Sequence, residues 1–222
     1  MKKRIIVRGQ VLSTSGYGVQ SRFAMKALRK HEDKLDIFVI STEWGRTGQL
    51  LDDTEETRWL GDLIFKTQQY FGQNNNQGQF DVSLQITIPN EFEPMAPINV
   101  GYTAGIETNK VSPEWIQKVN TMHKVIVTSN HSKFTIENTS YRGQDQNGQE
   151  AELKVNRPIE TVGYGVTDIK PKLSELNLQS SFNFLSVAQW GPRKNVEATI
   201  SAFVDEFKDE EGNWLRAGGD TS

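Results

Sequence analysis

The sequence predicts an α/β fold: a mainly parallel sheet with helices on both faces. Three observations carry that prediction. Short apolar runs alternate along the chain with amphipathic segments of helical period. Runs such as Ile5-Ile6-Val7 and Val125-Ile126-Val127 are apolar on successive residues, as strands covered on both faces are. Helix-start chemistry then follows directly on the ends of several runs, the pattern of strand–loop–helix units.

Arg4–Arg8 is the first predicted strand. A Ser/Gly-rich loop, Gly9 to Gly16, leads into a helix opened by Tyr17 and Gly18, with Val19, Phe23, Ala27 and Leu28 as its apolar stripe. Leu35–Ile40 is the next strand. Thr42 to Thr54, which includes Trp44, is polar loop. Asp53 with Glu56 is a capping-box variant ahead of a helix marked by Trp59, Leu60, Leu63, Ile64 and Phe71. Gln73 to Gln79 is a flexible connection, Phe80–Ile86 a strand, and Ile88 to Pro94 a rigid turn region.

Asn99–Thr103 is a strand, and the loop Ala104 to Thr108 leaves its end. Ser112-Pro113-Glu114 is a helix start by N-cap, first-turn proline and first-turn acid. Trp115, Ile116, Val119 and Met122 form that helix's buried side. Lys124–Thr128 is a strand, and Ser129 to Ser132 enters a helix through Phe134 and Ile136. Tyr141 to Asn156 is polar and Gln/Gly-rich, an insertion that is either disordered or a surface hairpin. Pro158–Val162 is the sixth strand. Leu173 to Leu178 is a linker or short turn. A last unit follows: strand Phe182 to Val187, turn Gln189 to Pro192, then a helix with Val196, Ile200, Phe203 and Phe207 at helical spacing.

Composition excludes several functions. The 222 residues carry a net charge of −3 with both signs interspersed, so there is no basic field for nucleic acid. Cysteine is absent, and His31, His123 and His131 form no ligand cluster, so no metal site is expected. No run reaches the length of a membrane span, and the apolar stretch after Lys2-Lys3-Arg4 is too short for a signal peptide. A cytoplasmic protein is expected. Gly16-Tyr17-Gly18 is not a dinucleotide fingerprint: its loop is too long, Ser21 holds the third glycine position, and Asp36 begins its strand instead of ending it. Arg193 and Lys194, near a helix start, form either an anion site or a solvated cationic pair.

Several stretches together resemble the glycosyltransferase group 1 family, retaining enzymes of GT-B fold. Ser15-Gly16-Tyr17-Gly18 with Arg22 resembles its opening. Gly101-Tyr102-Thr103, Glu107, Pro113-Glu114-Trp115 and Thr128-Ser129 match its next block in order. Gly165-Val166 with Asp168 resembles the segment closing its first domain. Pro192-Arg193-Lys194-Asn195 resembles the entry to its nucleotide-binding domain, with Gln189 where the family usually has an arginine. The resemblance implies a Rossmann-like acceptor-side domain at 1–170. It also implies a linker and the first βα unit of a truncated nucleotide-sugar-binding domain at 171–222.

It further implies hexosyl transfer from a nucleotide-diphosphate sugar to a glycan or other hydroxyl acceptor, without cofactor or metal. Arg193, Lys194, Gly16 and Gly18 would meet the donor phosphates. Ser129, Asn130 and Gly165 would line the acceptor cleft. Glu107 would hydrogen-bond an acceptor hydroxyl or stabilise oxocarbenium charge; equally, it is a carboxylate near the following helix start. His131 is an acceptor-side base or a polar helix-start residue. The later βα units of the second domain are missing, so the chain is expected to be an inactive fragment, able to self-associate through its last βα unit. The alternative is a non-catalytic Rossmann-like module for binding or assembly.

Overall fold

The computed structural model describes residues 2–43, 45–75, 77–144, 148–168, 170, 183–188 and 190–207. Two compact units divide at Thr167 and Asp168. The first holds strands β1 (Lys3–Gly9), β2 (Leu35–Ser41), β3 (Val82–Ile86), β4 (Ile98–Thr103), β5 (Lys124–Val127) and β8 (Ile159–Thr161). These form one six-stranded sheet in the order β2-β1-β3-β4-β5-β8, and every pairing in it is parallel. The predicted strands thus pair as one parallel sheet. Its order reverses between β1 and β3, the switch point at which open α/β sheets bind ligands.

Helix α1 (Gly16–Arg29) joins β1 to β2, and α2 (Glu55–Gln73) joins β2 to β3. The apolar stripe expected on α1 is rotated from its predicted face. Val19 is 43% exposed, whereas Tyr17, Gly18, Gln20, Ser21 and Met25 are buried. The cause lies at the helix entry. Arg22 donates to the carbonyls of Val11 (3.1 Å) and Ser13 (2.7 Å), and Gly18 abuts Ser13, so the loop and not the stripe sets the helix's rotation.

The expected Asp53/Glu56 box lies one residue further on. Thr54 is the N-cap of α2; its hydroxyl accepts from Thr57 N–H (3.1 Å), and Thr57 Oγ1 accepts from Thr54 N–H (2.9 Å). Asp53 instead faces Arg58 at 3.5 Å. Helix α2 also covers the outer edge of the sheet. Val39 N–H donates to Thr67 Oγ1 at 2.8 Å, and Lys66 bonds the Asp36 carboxylate and the Ile37 carbonyl. Covering an edge strand in this way removes a template for unwanted pairing.

No helix joins β3 to β4. A 3-10 turn at Pro89–Glu91 makes the connection, and Phe92 is fully buried beyond it. A Cβ on Gly101 would lie 2.5 Å from the Phe92 ring, so the glycine admits that ring against β4. Helices α3 (Pro113–Asn120) and α4 (Asn130–Glu137) then flank β5. Ile116, Val119, Met122, Val125, Val127, Ile136 and Ile159 form their shared core. The Tyr141–Asn156 insertion is a hairpin of antiparallel β6 (Ser140–Gln144) and β7 (Glu150–Lys154). Tyr141 ties it down by donating to the Val111 carbonyl at 2.6 Å.

In the second unit, residues 183–188 are not a strand, contrary to expectation. A strand needs a ladder partner, and the described residues of this unit supply none. Pro192–Lys194 is a 3-10 turn, and Asn195 (φ 47°) separates it from α5 (Val196–Phe207) in the left-handed region. Phe184 packs on Phe203 and Phe207, with ring centroids 5.4 and 5.3 Å away. Leu185, Val187 and Trp190 remain exposed. Trp44, Leu173–Leu178, Phe182, Gln189 and the tail after Phe207 lie outside the described residues.

Candidate functional site

In a parallel sheet all strand ends of one sense lie on one edge, and here that is the carboxyl edge. The loop after β1 reaches it through α1. Ser15 caps that helix, its hydroxyl accepting from Gly18 N–H at 3.1 Å. A Cβ on Gly18 would sit 1.9 Å from the Ser13 carbonyl oxygen, so backbone contact alone demands glycine there. Gly16 has open space around it. Between them, Tyr17 is buried and reaches across to β4. Its hydroxyl pairs with Thr103 Oγ1 at 3.1 Å and accepts from Ala104 N–H at 3.2 Å. Burial pushes the Tyr17 phenol above its ordinary pKa, with the bonds to Thr103 and Ala104 working against that shift.

The next amide along is held by a second tyrosine. Gly105 N–H donates to the Tyr164 hydroxyl at 3.3 Å. Tyr164 is 55% exposed and stands between Gly163 and Gly165, as Tyr17 stands between Gly16 and Gly18. A Cβ on Gly165 would meet the Phe23 ring at 2.3 Å, so this segment packs closely on α1. Tyr102, on β4, donates to the Val162 carbonyl at 3.1 Å and fixes the start of the same segment.

Helix α4 holds the far side. Ser129 is its N-cap: the hydroxyl accepts from Ser132 N–H at 3.1 Å and shares a 2.9 Å bond with Ser132 Oγ. Ser132 Oγ in turn accepts from Ile106 N–H at 3.0 Å. His131 Nε2 lies 3.1 Å from the Thr108 carbonyl oxygen. A carbonyl only accepts, so Nε2 carries the hydrogen of that bond and Nδ1 is the ring atom left for other work. Glu107 is exposed on the loop between these two anchors, and Asn130 opens α4 at the surface.

The structure therefore gathers Gly16 and Gly18 (through Tyr17), Gly165 (through Tyr164), Ser129 (through Ser132) and His131 around residues 103–108. Arg193 and Lys194 lie in the second unit, in the 3-10 turn before α5 and not in its first helical turn. The phenols of Tyr17 and Tyr164 were absent from the sequence expectations. Their signal is an aromatic residue set between two glycines, twice in one chain. Arg8, at the end of β1, was also unforeseen as an edge cation; it donates to the Glu91 carbonyl at 2.8 Å and faces Glu93 at 3.8 Å.

Two surface openings lie elsewhere among the described residues. One sits at the amino edge among Arg4, Gln79, Phe80, Asp81 and Met95, the other on the β6–β7 hairpin; both are shallow, and neither gathers convergent side chains of the candidate chemistry. The carboxyl edge is preferred because ligand geometry in α/β sheets follows topology. Among the described residues, no cluster of His, Asp or Glu could hold a metal ion, and no helix is long and apolar enough to cross a membrane. No protein-family model and no curated protein matches the chain.

Proposed function

We propose that this chain carries the acceptor-side domain and the opening of the donor-side domain of a retaining group 1-type glycosyltransferase. The observation that carries this reading is the gathering of Gly16–Gly18, Thr103–Glu107 and Ser129–His131 along one carboxyl edge beside the β1/β3 switch point. Gly16, Gly18, Thr103, Glu107 and Ser129 among them belong to the stretches whose order resembles the family, and the edge is where such sheets bind ligands. In the proposed reaction an acceptor hydroxyl forms a bond to the anomeric carbon of a nucleotide-diphosphate sugar. The bond to the diphosphate oxygen breaks, the nucleoside diphosphate departs, and the hydroxyl proton is released.

Glu107 hydrogen-bonds the acceptor or stabilises oxocarbenium charge. Nδ1 of His131 is the nitrogen placed to accept a proton, because Nε2 is engaged with Thr108. Arg193 and Lys194 meet the diphosphate. The work is cytoplasmic and needs no bound cofactor, and the exposed Leu185, Val187 and Trp190 favour association with a second copy.

The test is calorimetry of the chain against a panel of uridine, guanosine and adenosine diphosphate hexoses. Binding that is lost in an Arg193→Ala/Lys194→Ala double variant is expected. A chain that binds none of the panel, or binds equally well without those cations, overturns the donor assignment.

A further inference from the structure

We propose that Gly105, Thr128 and Tyr164 form a subsite for the hydroxyl groups of a neutral saccharide, closed in the free protein by the Tyr164 phenol. The starting observation is Thr128. It is 8% exposed, and its Oγ1 is buried without a hydrogen-bond partner. Buried polar groups are almost always paired, so an orphaned hydroxyl beside a ligand edge asks for its missing partner.

Thr128 Oγ1 faces Gly105. It lies 3.5 Å from the point where a Cβ on Gly105 would stand, and the Tyr164 hydroxyl lies 4.0 Å from that same point. Neither distance is a clash, and Gly105 is not in the left-handed region. Neither crowding nor backbone conformation thus requires glycine here. What its missing side chain leaves is room for about one methyl group between two hydroxyls, beside the exposed Gly105 and sealed from solvent at Thr128 Oγ1. The third polar group is the Gly105 N–H, held by Tyr164 at 3.3 Å, beyond the usual N–H···O range.

This donor and acceptor set selects the ligand chemistry. A sugar hydroxyl accepts from the Gly105 N–H and donates to Thr128 Oγ1 at once; a phosphate at neutral pH offers chiefly acceptors. The Glu107 carboxylate, two residues along the loop, further disfavours an anion. The half-exposed Tyr164 ring supplies an apolar platform for the C–H face of a pyranose. On binding, the ligand hydroxyl replaces the phenol on Gly105 while the ring stays in contact. The subsite rests on the reading of this edge as the acceptor side, but it requires binding and no transfer.

The experiment titrates the full chain with methyl α-D-glucoside, methyl α-D-mannoside and methyl α-D-galactoside, with inorganic phosphate in a separate arm. The readout is the Gly105 amide resonance in a nitrogen–proton correlation spectrum. At least one hexoside should shift that resonance saturably, and phosphate should not. Gly105→Ala should fold as the parent does, since its Cβ meets only ordinary contacts, and should abolish the response. Thr128→Val should weaken binding roughly 3- to 10-fold, the worth of one hydrogen bond. Tyr164→Phe should tighten it, because the competing phenol is gone.

No hexoside response at Gly105, a phosphate response in its place, or unchanged binding by Gly105→Ala overturns the subsite. Weaker binding by Tyr164→Phe overturns the displacement. Hexoside binding without nucleotide-sugar binding leaves the subsite standing and removes the transferase reading. The reverse result removes the subsite alone.

Discussion

The same tripeptide, Gly-Tyr-Gly, occurs at residues 16–18 and 163–165, and the two copies hold adjacent amides at different depths. Tyr17 is buried and holds Ala104; Tyr164 is half exposed and holds Gly105. Gly18 abuts backbone, the Ser13 carbonyl, whereas Gly165 abuts the side chain of Phe23. One copy is built into the core of the edge, and the other is laid on its surface. Local sequence sets the tripeptide, and the depth at which it packs decides whether it is a fastener or a movable contact.

Substitutions separate the two. Gly18→Ala should have the largest effect. Its Cβ would lie 1.9 Å from a carbonyl oxygen and 2.7 Å from the carbonyl carbon, and neither can swing aside. Overpacking of this kind costs about 2–3 kcal/mol, read as a lower urea midpoint at unchanged slope. A midpoint within error of the parent would show that the helix entry can shift.

Tyr17→Phe comes next. It leaves the part-buried Ala104 N–H and the buried Thr103 hydroxyl without their shared partner, at a cost of about 1–3 kcal/mol. The same residue predicts a pH dependence. A phenol raised in the folded state holds its proton there more tightly than in the unfolded chain. Its contribution is fully present below its unfolded value of 10.0 and is lost as pH rises through the higher folded value. Alkaline unfolding should therefore narrow the gap between the parent and Tyr17→Phe. A constant gap through that range would count against a buried neutral phenol.

Gly165→Ala should cost about 1 kcal/mol, less than Gly18→Ala, because the obstructing group is a partly exposed aromatic side chain that can change rotamer. A loss as large as that of Gly18→Ala would mean that Phe23 is held more firmly than its exposure suggests.

How much of this was legible in the sequence differs between fold and site. Runs such as Ile5-Ile6-Val7 carry their own signature, because a strand covered on both faces cannot hide its composition. Ser112-Pro113-Glu114 likewise announces a helix, since a cap acts over a few residues. Both are local. The rotation of α1 is not local: it depends on Arg22 and Gly18 meeting carbonyls of a loop whose path no periodicity describes. The 183–188 run reads as a strand by composition, yet strand structure requires a neighbour that composition cannot supply. Residues flagged in the site sit near strand ends, so their edge could be foreseen. The pairing of Tyr17 and Tyr164 with neighbouring amides spans long chain separations and could not.

The smallest expected effect is the sharpest test of the comparison. Tyr164→Phe removes one hydroxyl, as Tyr17→Phe does, and in each case a main-chain N–H loses its acceptor. The difference is where that N–H is left. Gly105 is exposed, so water replaces the phenol, and the penalty for an unmet buried donor does not arise. The bond removed is also the longer of the two, 3.3 Å against 3.2 Å. Tyr164→Phe should therefore change stability by less than about 0.5 kcal/mol, the range of surface substitutions away from special features. Urea unfolding of the two variants side by side decides the matter. Equal losses would make Tyr164 a second fastener and leave no movable phenol for a ligand to displace. A loss confined to Tyr17→Phe would divide the edge into a fixed half, built on β4 and α1, and an adjustable half laid over Gly105.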